Sequence, residues 1–108
     1  MASSQSVEHL RRALGGVSNQ CEDLRYMSHK VKCESATLKE RNDELASQMR
    51  QLSPDDERYV AIAKQMAVMK SNFQALKSRQ VEVAGLLEYY EQQHRELQQQ
   101  LDDMTAAP

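Results

Sequence analysis

The chain has 108 residues with only three Gly, two Pro, one Phe and no Trp, a composition of solvated helices rather than of sheets, and its length allows one domain at most. Fourteen basic against sixteen acidic residues leave a formal net charge of −2, with eight basic and seven acidic side chains over residues 1–53 and six and nine over residues 54–108, so neither half is a nucleic-acid surface. No run of about twenty apolar residues is present and no basic-then-apolar leader opens the chain; the expectation is a soluble, cytoplasmic protein without membrane insertion.

Residues 1–4 are small and polar and are expected to fray. Val7, Leu10 and Leu14 then follow at helical spacing until Gly15-Gly16 interrupts. Two adjacent glycines cost about 2 kcal/mol relative to alanine in a helix interior, so residues 1–17 read as a short N-terminal helix that bends or stops at the glycines. Ser18 and Asn19 are good N-cap residues, and Asn19 with Glu22 has the capping-box spacing. The first long helix is therefore expected over residues 18–52.

Leu10, Val17, Leu24, Val31, Leu38, Leu45 and Leu52 recur at intervals of seven without a miss, the period of a coiled-coil seam. With these as d positions, the a positions are Val7, Leu14, Cys21, Ser28, Ser35, Asn42 and Met49, so the middle of the companion row is polar.

Ser53-Pro54-Asp55-Asp56-Glu57 forms the next boundary. Ser53 suits an N-cap and Pro54 the first helical position, and the acids that follow suit the positive end of a helix dipole. This places a turn and cap at residues 53–56, a second helix over residues 54–104 and a frayed tail at residues 105–108. Its seam reads Tyr59, Ile62, Met66, Met69, Phe73, Leu76, Gln80, Val83, Leu87, Tyr90, His94, Leu97, Leu101 and Met104, a 3-4 alternation in which only Gln80 and His94 are polar.

Two architectures fit these repeats. In a continuous rod dimerising in parallel, Asn42 would pair with its symmetry mate. The second repeat, however, is displaced by three residues from the first, and the slip coincides with a proline. Folding back at the turn instead aligns Leu52 with Tyr59, Leu45 with Met66, Leu38 with Phe73, Val31 with Gln80, Leu24 with Leu87, Val17 with His94 and Leu10 with Leu101. The expected fold is all-α: two long antiparallel helices forming a coiled-coil hairpin, which assembles into a helical bundle with a partner or a second copy.

The second helix carries a further apolar stripe outside the seam: Val60, Ala61, Ala67, Val68, Ala75, Val81, Leu86 and Tyr89, mostly at b and c positions. Alanine for helix propensity and tolerated surface aliphatics would explain some of it. The sevenfold spacing of Ala61, Val68 and Ala75, resumed at Tyr89, points to a surface for partner helices, in a homo-oligomer or a heteromeric coiled-coil subunit.

Candidate chemistry is sparse. Cys21 and Cys33 are twelve apart, about 18 Å along a helix, too far to bridge. Cys21, His29 and Cys33 are zinc-type ligands by identity, and His29 and Cys33 share one helical face. Cys21 lies on another face and no fourth ligand is near, so no metal site is expected, only a buried thiol and two exposed polar-face residues. His94 sits in the seam beside Glu91 and Arg95, where it reads as a seam residue reaching outward rather than as a pH switch. Met49, Met66 and Met69 resemble an adaptable binding surface, although their a and d placement favours core. Ser53 precedes Pro54 and acids as in a phosphorylation site, yet capping already accounts for it.

Glu82, Glu88, Glu91 and Glu96 have no pocket to shift their pKa values. With no phosphate loop or nucleophile turn, no catalysis, cofactor or small-molecule substrate is expected. The sequence reads as a non-catalytic coiled-coil interaction module, a structural or adaptor subunit of a multiprotein assembly; the alternative is a small helical chaperone or regulator binding a client helix.

Overall fold

The computed structural model describes residues 4–106, and the expected fraying at residues 1–3 and 107–108 lies outside them. Two long helices account for almost all of this span, α1 (Ser4–Arg50) and α2 (Glu57–Thr105), and the described residues contain no strand.

α1 does not stop at Gly15-Gly16. The helix is continuous from Ser4, which places Ser18 and Asn19 in its interior rather than at a cap. Both glycines are exposed on the side away from the seam, between the buried Leu14 and the half-buried Val17. Burial of the seam on either side offsets the glycines' poor propensity, as tertiary packing commonly does in long helices.

α1 ends at Arg50, two residues short of the expected boundary. The next two amides turn back more tightly, Gln51 N–H to the Gln48 carbonyl and Leu52 N–H to the Met49 carbonyl, each at 3.1 Å. Arg50 Nε donates to the Ala46 carbonyl at 3.3 Å, satisfying an acceptor near the negative end of the dipole.

The cap of α2 also moves. Ser53 and Pro54 belong to the turn: Asp56 N–H donates to the Ser53 carbonyl at 2.9 Å, and Asp55 N–H donates to Ser53 Oγ at 3.4 Å. Asp56 is the N-cap, its Oδ1 accepting from Arg58 N–H at 2.9 Å, while its carbonyl accepts from Tyr59 N–H at 3.0 Å. α2 thus starts at Glu57 rather than Pro54. At its other end the helix includes Thr105, whose Oγ1 donates to the Leu101 carbonyl at 2.9 Å.

Every buried hydrophobic residue falls on a predicted seam position: Leu14, Cys21, Leu24, Val31 and Leu45 of α1, and Ile62, Met69 and Val83 of α2. The remaining seam residues are half-buried, apart from Met104 in the last turn, which is exposed.

The chain divides into two compact units, His29–Val81 and a second made of residues up to Ser28 with those from Glu82 onward. In the first, Leu45, Ile62 and Met69 form the core, with Leu38, Met49, Leu52 and Met66 packed against it. Further from the turn, Val31 and Ser35 border the same groove as Phe73, Leu76 and Gln80; the small Ser35 leaves space that a large a residue would fill. In the second unit the buried residues are Leu14, Cys21, Leu24 and Val83, and Cys21 and Glu22 share a groove with Glu91, His94 and Arg95.

Candidate interaction surface

All eight stripe residues are exposed. In a helix whose a and d residues are covered, b and c straddle f and face away from the seam. On the His29–Val81 unit this outer face carries Val60, Val68 and Val81, the last two at 61% and 68% exposure, together with Ala61, Ala67 and Ala75. The f positions between them are Lys64, Ser71 and Ser78, so the face is narrow in side-chain volume and interrupted by one charge. Isolated surface valines need no explanation, whereas several on one face of one helix do.

Ala75 also borders a groove of about 640 Å³ that Leu38, Leu76 and Cys33 line, at the edge of the face turned toward α1. The charge along this stretch of α2 is one-sided. Residues 57–81 hold Arg58, Lys64, Lys70, Lys77 and Arg79 against a single acid, Glu57.

Leu86 and Tyr89 lie in the other unit, at 45% and 57% exposure. The Tyr89 ring meets the half-buried Tyr90 edge to face, centroids 5.3 Å apart at 78°, and its hydroxyl accepts from Gln93 Nε2 at 3.0 Å. The ring is held in place without being covered, which lowers the entropy cost of binding through it. Tyr26 of α1, 68% exposed, is an outward residue that sequence reasoning passed over. It sits at an f position with no apolar neighbour at helical spacing, so no pattern marks it.

The other candidates are dispersed. Met69 is core, and Met49 and Met66 pack against that core. His94 is half-buried in the groove beside Cys21, Glu22, Glu91 and Arg95. Cys21 is buried and Cys33 exposed, and both are free thiols. Cys33 Sγ lies 3.5 Å from His29 Nε2, the spacing the sequence anticipates, but among the described residues no three His, Cys, Asp or Glu side chains gather to hold a metal ion.

In the turn, hydrogen bonds from the Arg58 side chain and backbone hold the Asp56 carboxyl below its usual range. The exposed pairs Glu8–Arg12 at 2.8 Å and Arg41–Glu44 at 3.5 Å lie on α1 and are worth at most about 1 kcal/mol each. No described helix is long and apolar enough to cross a membrane. Comparison of the chain with protein-family models, curated proteins and solved structures gives no match.

Proposed function

We propose that the protein is a non-catalytic interaction module, an antiparallel coiled-coil hairpin that acts as a structural or adaptor subunit by presenting the outer face of α2 to a partner helix. The observation that carries this reading is the exposure of Val60, Val68 and Val81 on the side of α2 opposite a seam that is already filled. A hairpin with its own seam satisfied has no intramolecular use for a second apolar face, and small residues at Ala61, Ala67, Ala75, Ser71 and Ser78 let another helix approach closely.

Lys64 within the face and Lys70, Lys77 and Arg79 at its edges favour a partner helix with acidic residues in and beside its apolar stripe, because opposite charges across an interface speed encounter and exclude wrong partners. The client-binding alternative would need the methionines at the surface; their place in and against the core favours the adaptor reading.

The test places a photo-reactive residue at position 68 of the full chain and maps the cross-linked segment. A helical segment with acidic flanks, whose capture and co-sedimentation are lost in Val68→Glu while helicity is retained, supports the proposal. A second copy of α2 as the captured segment would replace the heteromeric partner by a homo-oligomer. Capture unchanged by Val68→Glu and Val81→Glu overturns the assignment of this face.

A further inference from the structure

We propose that the outer face of α2 closes on the same face of a second copy of this chain, in antiparallel orientation. The inference rests on reading that face as an interface and names its occupant. Charge complementarity carries it. With His neutral, the His29–Val81 unit holds ten basic and seven acidic side chains, a formal charge of +3, and the other unit holds four and nine, a formal charge of −5. The asymmetry belongs to α2. Its residues 57–81 carry five basic side chains and one acid, whereas residues 82–105 carry Glu82, Glu88, Glu91, Glu96, Asp102 and Asp103 against Arg95 alone. α1 is nearly balanced throughout, with three basic and three acidic residues over 4–28 and five and four over 29–50. An antiparallel copy sets each basic segment of α2 on an acidic one, while a parallel copy would set like on like.

One register serves the charges and the apolar residues together. It places Lys64, the charge that interrupts the face, opposite Gly85, where even a Cβ would meet nothing within 4 Å. Glu82 and Glu88 stand three residues to either side of Gly85 on the same outer face, so the ammonium enters between two carboxylates. Val68 then falls opposite Val81, Val60 opposite Tyr89 and Ser71 opposite Ser78. Val68, Val81 and Tyr89, exposed at 61%, 68% and 57% in the single chain, are covered by one another, and the small serines and the glycine lie along the line of closest approach.

The charged residues are available for this role. Lys64, Glu82 and Glu88 are exposed, and the ion pairs among the described residues lie elsewhere, at Glu8–Arg12, Arg41–Glu44 and Asp56–Arg58. Each therefore enters the interface without giving up an ionic partner in its own chain.

The experiment is sedimentation equilibrium of the full chain at low and high salt, with two charge-reversed chains: Lys64→Glu, and Glu82→Lys with Glu88→Lys. The wild-type chain should be a dimer whose affinity falls as salt screens the pairing. Each reversed chain alone brings like charges together at both ends of the symmetric contact and should dimerise at least about tenfold more weakly. An equimolar mixture of the two should recover a heterodimer of near wild-type affinity, because the reversed side chains then meet each other and the unreversed ones do likewise. All three substituted side chains are exposed, so circular dichroism should show wild-type helicity throughout. A wild-type chain monomeric at low salt, reversed chains that dimerise as tightly as wild type, or reversed chains that mixing does not restore overturns the second copy as occupant. Capture of a foreign acidic helix at position 68, lost in Val68→Glu, would in that event still uphold the outer face as an interface, so the two readings fail separately.

Discussion

Asp56 and Arg58 are joined by three hydrogen bonds through one carboxylate: Arg58 N–H to Oδ1 at 2.9 Å, Nε to Oδ1 at 3.2 Å and Nη2 to Oδ2 at 2.9 Å. The same group that caps α2 thus holds the first basic side chain of the helix alongside it, and the turn and the helix start are fixed together.

That relationship has a pH dependence of definite sign. Hydrogen bonding from the Arg58 side chain, then from its backbone, lowers the Asp56 pKa below its ordinary value of 3.8. A depressed folded-state pKa stabilises the fold above the unfolded value, and that contribution is lost as pH falls through the folded one. Asp56→Asn keeps a capping oxygen but not the charge. It should melt below wild type near neutrality, and the gap should close as pH drops beneath the carboxylate range. A gap of constant size in thermal melts from pH 7 to pH 2 would assign the whole effect to the neutral cap.

Leu45 is 3% exposed and sits at the centre of the core of its unit. Leu45→Ala should cost about 3 kcal/mol, within the usual span for a buried leucine truncated in a packed core. Val68→Ala, on the outer face, should stay within about 0.5 kcal/mol. Urea denaturation of both variants separates the seam from the second stripe, since equal losses would mean that Val68 is packed within the free chain.

The seam was legible because its period is set by side chains alone. Leu14, Leu24, Val31, Leu45, Ile62, Met69 and Val83 are buried where the sevenfold and 3-4 spacings put them. Boundaries were less so. Ser53 and Asp56 are both good caps, and the choice depends on Pro54 entering a turn closed by the Asp56 amide and on Arg58 reaching back, neither visible as a pattern. At Gly15-Gly16 local propensity pointed one way and the seam on either side the other. The His29–Cys33 spacing was readable, but the 3.5 Å contact between Cys33 Sγ and His29 Nε2 depends on rotamers. Tyr26 belongs to no repeat at all.

Leu45 and Met66 share one core cluster although they lie on different helices. In the hairpin reading, Leu45→Cys with Met66→Cys in a Cys21→Ser, Cys33→Ser background should form a disulfide within one chain. Non-reducing electrophoresis and mass spectrometry should find it in the monomer at any protein concentration. A bridge found only between chains, increasing with concentration, would favour the parallel rod.

The glycines give a prediction whose sign separates the free chain from a complex. A Cβ added at Gly15, Gly16 or Gly85 would meet nothing within 4 Å, and each position lies inside a helix, so alanine should stabilise the free chain by about 1 kcal/mol at each. Gly85 differs from the other two in its surroundings. It occupies an f position of α2 one turn before Tyr89 and next to Leu86, both exposed, whereas Gly15 and Gly16 lie on the outer side of α1 beside Arg11 and Arg12. If a partner helix closes on α2 there, its backbone comes nearest where no side chain intervenes. Gly15→Ala and Gly16→Ala should then raise the melting temperature and leave partner affinity unchanged. Gly85→Ala should raise the melting temperature of the free chain equally while weakening the complex, measured by titration calorimetry once the partner is in hand. Equal affinity for all three variants would place the contact on α2 away from residue 85.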